Sequence, residues 1–298
     1  MEKEHHSGFV TIIGRPNVGK STLINQIIGE KISIISDKIQ TTRHTIHGIV
    51  TEEDAQIIFI DTPGIHKPKH RLGDYMVDVS IQSLEDVDVV LFMINAKEGF
   101  GKGDEFILEK LKKVKSPVFL LINKVDLIHP DELFSIIDQY KDKCEFEEII
   151  PISALNGNNV RKLLSLIKRH LPEGPKYYDE NQISNKTERF MYSEIIREKV
   201  LIHTKEEVPH SINVMIESLK EKSHNKMYIQ ALIITERKSQ KGILIGKQGN
   251  MLKKIGQEAR EEMEAMTGKK VYLELWVKVQ KDWRNRQSLL TQFGFINE

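Results

Sequence analysis

FVTIIGRPNVGKSTLINQIIG, residues Phe9 to Gly29, sets an apolar β-branched run, a glycine-rich turn and an amphipathic stretch in direct succession. Its centre, GRPNVGKS (Gly14–Ser21), fits G-x-x-x-x-G-K-[S/T], and a strand before it and a helix after it are the context that motif requires. Gly14 and Gly19 let backbone N–H groups face phosphate oxygens, and the following helix N-terminus adds positive potential. Lys20 is placed to bridge outer phosphates and Ser21 to ligate Mg2+. Arg15, Pro16, Asn17 and Val18 complete the loop, and Thr22 opens the helix beside it.

Working outward, the apolar runs IIFI, VDVVLFMI, SPVFLLI and EIIPIS alternate with stretches of helical spacing. That order predicts a mostly parallel sheet with crossover helices. GIVTEEDAQIIFI sets a polar EEDA between two apolar runs, which predicts a hairpin and one antiparallel edge strand. DTPG (Asp61, Thr62, Pro63, Gly64) closes IIFI; its carboxylate can hold Mg2+ through water, and the Gly64 amide can meet a γ-phosphate. NKVD (Asn123, Lys124, Val125, Asp126) closes SPVFLLI and selects the base. Guanine presents N1–H and an amino group side by side, and the Asp126 carboxylate accepts both. Adenine presents an acceptor at N1 and leaves the carboxylate unpaired. Ser153, Ala154 and Leu155 follow the last strand, where backbone amides complete a base pocket.

At 298 residues the chain suits two domains. Hydrophobic residues at 39% and charged residues at 29% exclude a disordered chain. The longest apolar runs are under half of the about 20 residues a membrane span needs. The opening MEKEHHSG is polar and unlike a signal peptide, and the single Cys144 cannot form an internal disulfide; both point to a reducing cytoplasm. His5 and His6 are expected in an unstructured tail, and Cys144 as inert.

These motifs, over roughly residues 8 to 172, resemble the Era/TrmE-like family of translation-factor-related GTPases. The resemblance implies a switch I in QTTRH (Gln40, Thr41, Thr42, Arg43, His44), with Thr42 as the Mg2+ ligand and Thr41 the alternative. It implies GTP and GDP as ligands and slow hydrolysis. Where Ras-like enzymes carry a water-orienting glutamine, this chain has Ile65. The family pattern places an asparagine, here Asn17, to help bind K+ where an arginine finger would lie. Arg43 and Arg71 are expected as solvated surface arginines.

LPEGPKYYDENQISNKTE then breaks all periodicity. Residues 1–173 are read as the P-loop domain, 174–188 as linker and 189–298 as an α+β domain of order α-β-β-α-β. The net charge is +1, yet Glu236 to Arg286 holds 13 Lys or Arg against 7 Asp or Glu. Within it, ILIGKQGN reads as a strand, a G-x-x-G turn and a helix from Asn250, the setting of a type II KH clamp for single-stranded nucleic acid. Gly246 and Gly249 let the phosphate backbone approach, Lys247 and Gln248 lie between them, and Ile243 and Ile245 are expected to floor a groove for bases. Trp276 is expected in the core. Trp283, among Lys281, Arg284 and Arg286, is expected to touch RNA or a partner.

A P-loop GTPase with a KH domain resembles the bacterial KH-domain members of the family. That implies a monomer that assembles the small ribosomal subunit, binds near the 3′ end of its ribosomal RNA, and touches the cytoplasmic face of the inner membrane peripherally. The competing readings are an RNA-binding module with a static nucleotide domain and a membrane-associated regulatory GTPase that grips acidic lipid.

Overall fold

The computed structural model describes residues 5–296. The described residues form two compact units. The first takes the residues up to Ser33 together with Thr42–Pro68 and Gly73–Asn185; the second takes Ile34–Thr41, Lys69–Leu72 and the residues from Lys186 onward.

In the first unit, chain order is β1 (His6–Ile13), α1 (Lys20–Ile28), β2 (Ile46–Thr51), β3 (Ala55–Asp61), α2 (Arg71–Gln82), β4 (Val89–Asn95), α3 (Lys102–Leu111), β5 (Val118–Asn123), α4 (Pro130–Tyr140), β6 (Glu148–Pro151) and α5 (Val160–Lys168). The sheet runs β2-β3-β1-β4-β5-β6, parallel throughout except for the antiparallel edge strand β2. β3, β4 and β5 are buried at every position, as strands covered by helices on both faces must be. β1 lies between β3 and β4, so the connections leave it in opposite directions and open a crevice beyond its carboxyl end. Ile12 registers with Asp61, and Asn95 with Asn123, which gathers DTPG and NKVD at the edge where the phosphate loop leaves β1.

His5 and His6 are not free tail. His6 begins β1, and the Nδ1 atoms of His5 and His6 lie 3.0 Å from the carbonyls of Gly174 and Leu171. Residues 1–4 of the expected tail lie outside the described residues. The irregular stretch after α5 is tied to β3. Gln56 accepts from the N–H groups of Tyr177 and Tyr178 and donates to the Tyr178 carbonyl at 2.9 Å.

The second unit contains α6 (Glu188–His203), β7 (Asn213–Ser223), β8 (Lys226–Thr235), α7 (Lys238–Ile245), α8 (Asn250–Thr267), β9 (Lys270–Val279) and α9 (Gln287–Gln292). Its sheet runs β7-β8-β9, antiparallel then parallel, with α6 and α8 packed on it through a core that includes Ile196, Val200, Ile229, Ala231, Ile255 and Ala259. Two short stretches belong to this unit: Glu198 accepts from the Ile35 amide at 3.0 Å, and Arg197, held by Glu194, donates to the Thr41 carbonyl.

The fold corrects further expectations. ILI (243–245) ends a helix, α7, rather than a strand, giving α-β-β-α-α-β. The Gln240 side chain accepts from the amides of Glu236 and Arg237 and starts that helix, a signal hidden beside the β-branched isoleucines. The tryptophans are exchanged in role. Trp276 is 55% exposed, whereas Trp283 is fully buried, donates to the Ser211 carbonyl at 2.8 Å and packs on Phe293 and Phe295. Arg43 is 1% exposed and not solvated, while Arg71 does lie at the surface.

Trp283→Phe, which removes a buried donor and part of a packed ring, is expected to cost roughly 2 kcal/mol. Trp276→Phe at the exposed position should stay within about 0.5 kcal/mol. Urea unfolding followed by circular dichroism measures both; equal losses would contradict this placement.

Candidate nucleotide site and nucleic-acid interface

The phosphate loop is fixed by two backbone demands. Gly19 has φ 110°, and a Cβ there would stand 2.2 Å from the Asn123 Nδ2, so only glycine fits. Lys20 is 6% exposed, and its Nζ donates to the carbonyls of Gly14 and Arg15 at 3.1 Å. Burial pushes its pKa down to about 8, with Asp61 opposing the fall.

Asp61 is fully buried at the end of β3. Its Oδ2 accepts from Ser21 at 2.8 Å and from Ser33 at 2.9 Å, and the Ser21 hydroxyl lies 2.9 Å from that of Thr42. Its Oδ1 has no hydrogen-bond partner among the described residues. Burial raises the carboxyl above its ordinary range, against the pull of Lys20, Ser21 and Ser33. Three hydroxyls and an orphaned carboxylate oxygen in one spot suit a hard, oxygen-seeking cation. Thr41 turns the other way, its hydroxyl donating to the Lys38 carbonyl at 2.6 Å, so only Thr42 of the two candidates joins this cluster. Gln40 has φ 61°, and His44 is half-buried. No group of three His, Cys, Asp or Glu side chains that could hold a metal occurs among the described residues.

Asn123 is 2% exposed and works in two directions: Nδ2 donates to the Val18 carbonyl at 2.7 Å, and Oδ1 accepts from the Ala154 amide at 2.9 Å. Lys124, at φ 66°, donates through Nζ to the Asn17 carbonyl at 2.8 Å. Asn17 itself sits at φ 61° on the exposed crest of the loop. Asp126 is exposed in the 3-10 turn Val125–Leu127, and the Val125 amide is anchored to the Ile152 carbonyl at 3.3 Å. Ser153 is buried, and Leu155 is 73% exposed.

Two loop residues face elsewhere. Arg15 ion-pairs with the buried Asp104 at 3.1 Å and with Glu98 at 3.2 Å at the start of α3. Ile65 is 3% exposed, packed in the core behind the loop, and its amide bonds the Gly14 carbonyl at 3.2 Å. Thr62 and Pro63 are likewise structural, donating to the Ile12 carbonyl and accepting from Ser80. A Cβ on Gly64 would meet Pro16 at 2.7 Å, so DTPG and the phosphate loop touch. Ser33 and Asp104 belong to no motif, and only the fold brings them in.

In the second unit GKQG joins α7 to α8. Gly246, Gln248 and Gly249 all have positive φ, at 71°, 53° and 79°. Outside Gly249 nothing lies within 4 Å of a Cβ position, which leaves its backbone open to a ligand. Beside it α8 and β9 enclose a groove of about 440 Å³ lined by Gly249, Leu252, Lys253, Arg260, Leu273 and Leu275 among others. Ile243 and Ile245 are not in that lining: as part of a helix they point elsewhere, and Leu252, Leu273 and Leu275 floor the groove instead.

The family model described as 50S ribosome-binding GTPase matches residues 9–124, and the KH domain model matches residues 207–284. A crystal structure of Era in complex with MgGDPNP and nucleotides 1506–1542 of 16S ribosomal RNA is 46% identical, covers 98% of this chain and 99% of its own, and superposes with a TM-score of 0.94. A variant of Aquifex aeolicus Era bound to GDP·AlF4− is 45% identical over 97% of this chain and 99% of its own, with a TM-score of 0.93. Fold and site thus define a P-loop GTPase followed by a KH domain. The chain belongs to the Era family.

The depressed Lys20 pKa has a measurable sign. Phosphate favours the ammonium form, so nucleotide binding should draw a proton where free Lys20 has lost it, above about pH 8. Calorimetry in buffers of different ionisation heat is expected to find little uptake at pH 7 and approaching one proton at pH 9, abolished in Lys20→Met. Uptake unchanged between the two pH values would contradict it.

Proposed function

We propose that this GTPase couples the state of its nucleotide to the grip of its KH domain on single-stranded small-subunit ribosomal RNA, near the 3′ end, during small-subunit assembly. The observation that carries the nucleotide half is the double hydrogen bonding of Asn123, which ties the phosphate loop to the loop of Ala154 beside the turn that carries Asp126. The RNA half is supported by the open Gly249 backbone beside a basic, leucine-floored groove. It is supported also by the relative, 46% identical, whose crystal structure holds a 16S segment.

In this reading Lys20 and the loop amides hold the β- and γ-phosphates, and Ser21 and Thr42 ligate Mg2+, with Asp61 behind them through water. The metal, when bound, neutralises charge that develops on the leaving phosphate. Asp126 accepts the two donors of guanine. With Ile65 turned into the core, no side chain at that position orients water, so backbone groups of the DTPG segment take that task. Asn17, on the exposed crest, is placed to help hold K+ near the phosphates, where the charge of Arg15 is engaged by Asp104 and Glu98. Gly246, Lys247, Gln248 and Gly249 clamp the RNA backbone.

Among the described residues no helix is long and apolar enough to cross a membrane. A peripheral contact of a monomer with the cytoplasmic face of the inner membrane completes the reading.

Two variants separate the halves. Lys20→Ala is expected to abolish GTP turnover and leave binding of the 16S segment by the nucleotide-free protein within about threefold. Gly249→Asp should weaken that binding at least tenfold and leave basal turnover, measured in KCl, intact; loss of both in either variant would overturn the division of labour. Asp126→Asn replaces an acceptor pair by one acceptor and one donor, so GTP affinity should fall by about 100-fold while XTP affinity rises. Unchanged GTP affinity would remove Asp126 from the base. Turnover by the unaltered protein should be faster in K+ than in Na+, and equal rates would exclude a K+ role for Asn17.

A further inference from the structure

The sheet of the second unit has two faces, and only one is explained by the KH groove. On β9, Val271, Leu273, Leu275 and Val277 turn toward α6 and α8, where Leu273 and Leu275 also line the groove. The alternate positions, Lys270, Tyr272, Glu274, Trp276 and Lys278, take the opposite face. Tyr272 is 66% and Trp276 55% exposed. β8 adds Tyr228, whose ring stacks on Tyr272 with centroids 5.6 Å apart and planes 14° from parallel.

These rings are not loose. Glu274 accepts from the Tyr228 hydroxyl and, at 3.0 Å, from the Trp276 Nε1, so one carboxylate holds an aromatic on each side. That carboxylate is also the only acidic group β8 and β9 place on this face, and it is engaged. Lys222 caps the Tyr228 ring at 5.0 Å, and Lys226 and Lys270 occupy paired positions on neighbouring strands. Like charges set opposite each other cost stability, so folding alone gives no reason for that pair. A polyanion does. Exposed aromatic rings rimmed by lysines suit the stacking of unpaired bases with phosphates outside them. A buried apolar protein contact would favour aliphatic residues and fewer lysines.

β9 is an edge strand of its sheet and carries the groove on one side and these rings on the other. We infer that the Tyr228–Tyr272–Trp276 face is a second binding surface for single-stranded RNA, on which a strand leaving the GKQG groove stacks its bases after passing the β9 edge. This rests on the RNA reading of that groove.

The test uses the full chain and two probes: the 16S segment 1506–1542 and tetranucleotides tiled across it, four nucleotides being about what a G-x-x-G clamp holds. Of the two tryptophans only Trp276 is exposed, so quenching of intrinsic fluorescence reports directly on this face. The segment should quench it and the tetranucleotides should not. Tyr272→Ala with Trp276→Ala should lower affinity for the segment roughly 10- to 100-fold and leave tetranucleotide affinity unchanged. Trp276→Phe, which keeps a ring, should retain most of the affinity. Undiminished affinity of the double variant, together with unquenched Trp276 fluorescence in the unaltered protein, would overturn the inference and leave the face to a protein partner or a second copy. A loss as large in Trp276→Phe as in the double variant would refute stacking. Failure of the groove reading has another signature: Gly249→Asp would then leave tetranucleotide affinity unaltered.

Discussion

One buried amide side chain sets the geometry of the nucleotide site. Asn123 closes β5 and reaches the Val18 carbonyl, 105 residues earlier, and the Ala154 amide, 31 residues later. Both of its polar ends are used, and at 2% exposure neither has water as an alternative. Leaving either loop group without its partner would cost on the order of 1–3 kcal/mol. The phosphate loop, the base-reading turn and the loop of Ser153–Leu155 are therefore one object, though each follows a different strand. Gly19 is part of the same constraint, since the amide fills the space a side chain there would need.

Around that frame the charges are poised rather than neutralised. Lys20 and Asp61 are both buried, and burial displaces both in the direction that disfavours charge. Neither finds a full complement of partners in the protein: Lys20 leans on two carbonyls, and one Asp61 oxygen is left over. Such a pair weakens the folded protein taken by itself. In the proposed reading, phosphates and a divalent cation would supply the missing partners. The second unit follows another logic. Its groove and its outer sheet face share β9, and the period-2 alternation of that one strand lets leucines face one way and aromatic rings the other.

Much of this was legible in the residues. GRPNVGKS, DTPG and NKVD each sit where a strand ends, and the alternation of apolar runs gave the parallel sheet and its antiparallel edge. QTTRH favoured Thr42 but left Thr41 open, because adjacent threonines differ only in direction, which the loop backbone decides. ILIGKQG misled for a physical reason: isoleucines favour strands, but Gln240 begins a helix through side-chain hydrogen bonds that composition does not reveal. The two tryptophans exchanged places for a related reason. Strand alternation puts Trp276 on one face but does not tell which face is covered, and Trp283 lies in a turn with no period at all. Ser33 and Asp104 came from outside every motif, since long-range contacts alone recruit them.

The unity of the three loops is most directly measured by amide hydrogen exchange in nucleotide-free Asn123→Ala. Faster exchange in both Gly14–Ser21 and Ser153–Leu155, with β4 and the rest of β5 unchanged, is the result this account predicts. Acceleration in one loop alone, or in neither, would contradict it.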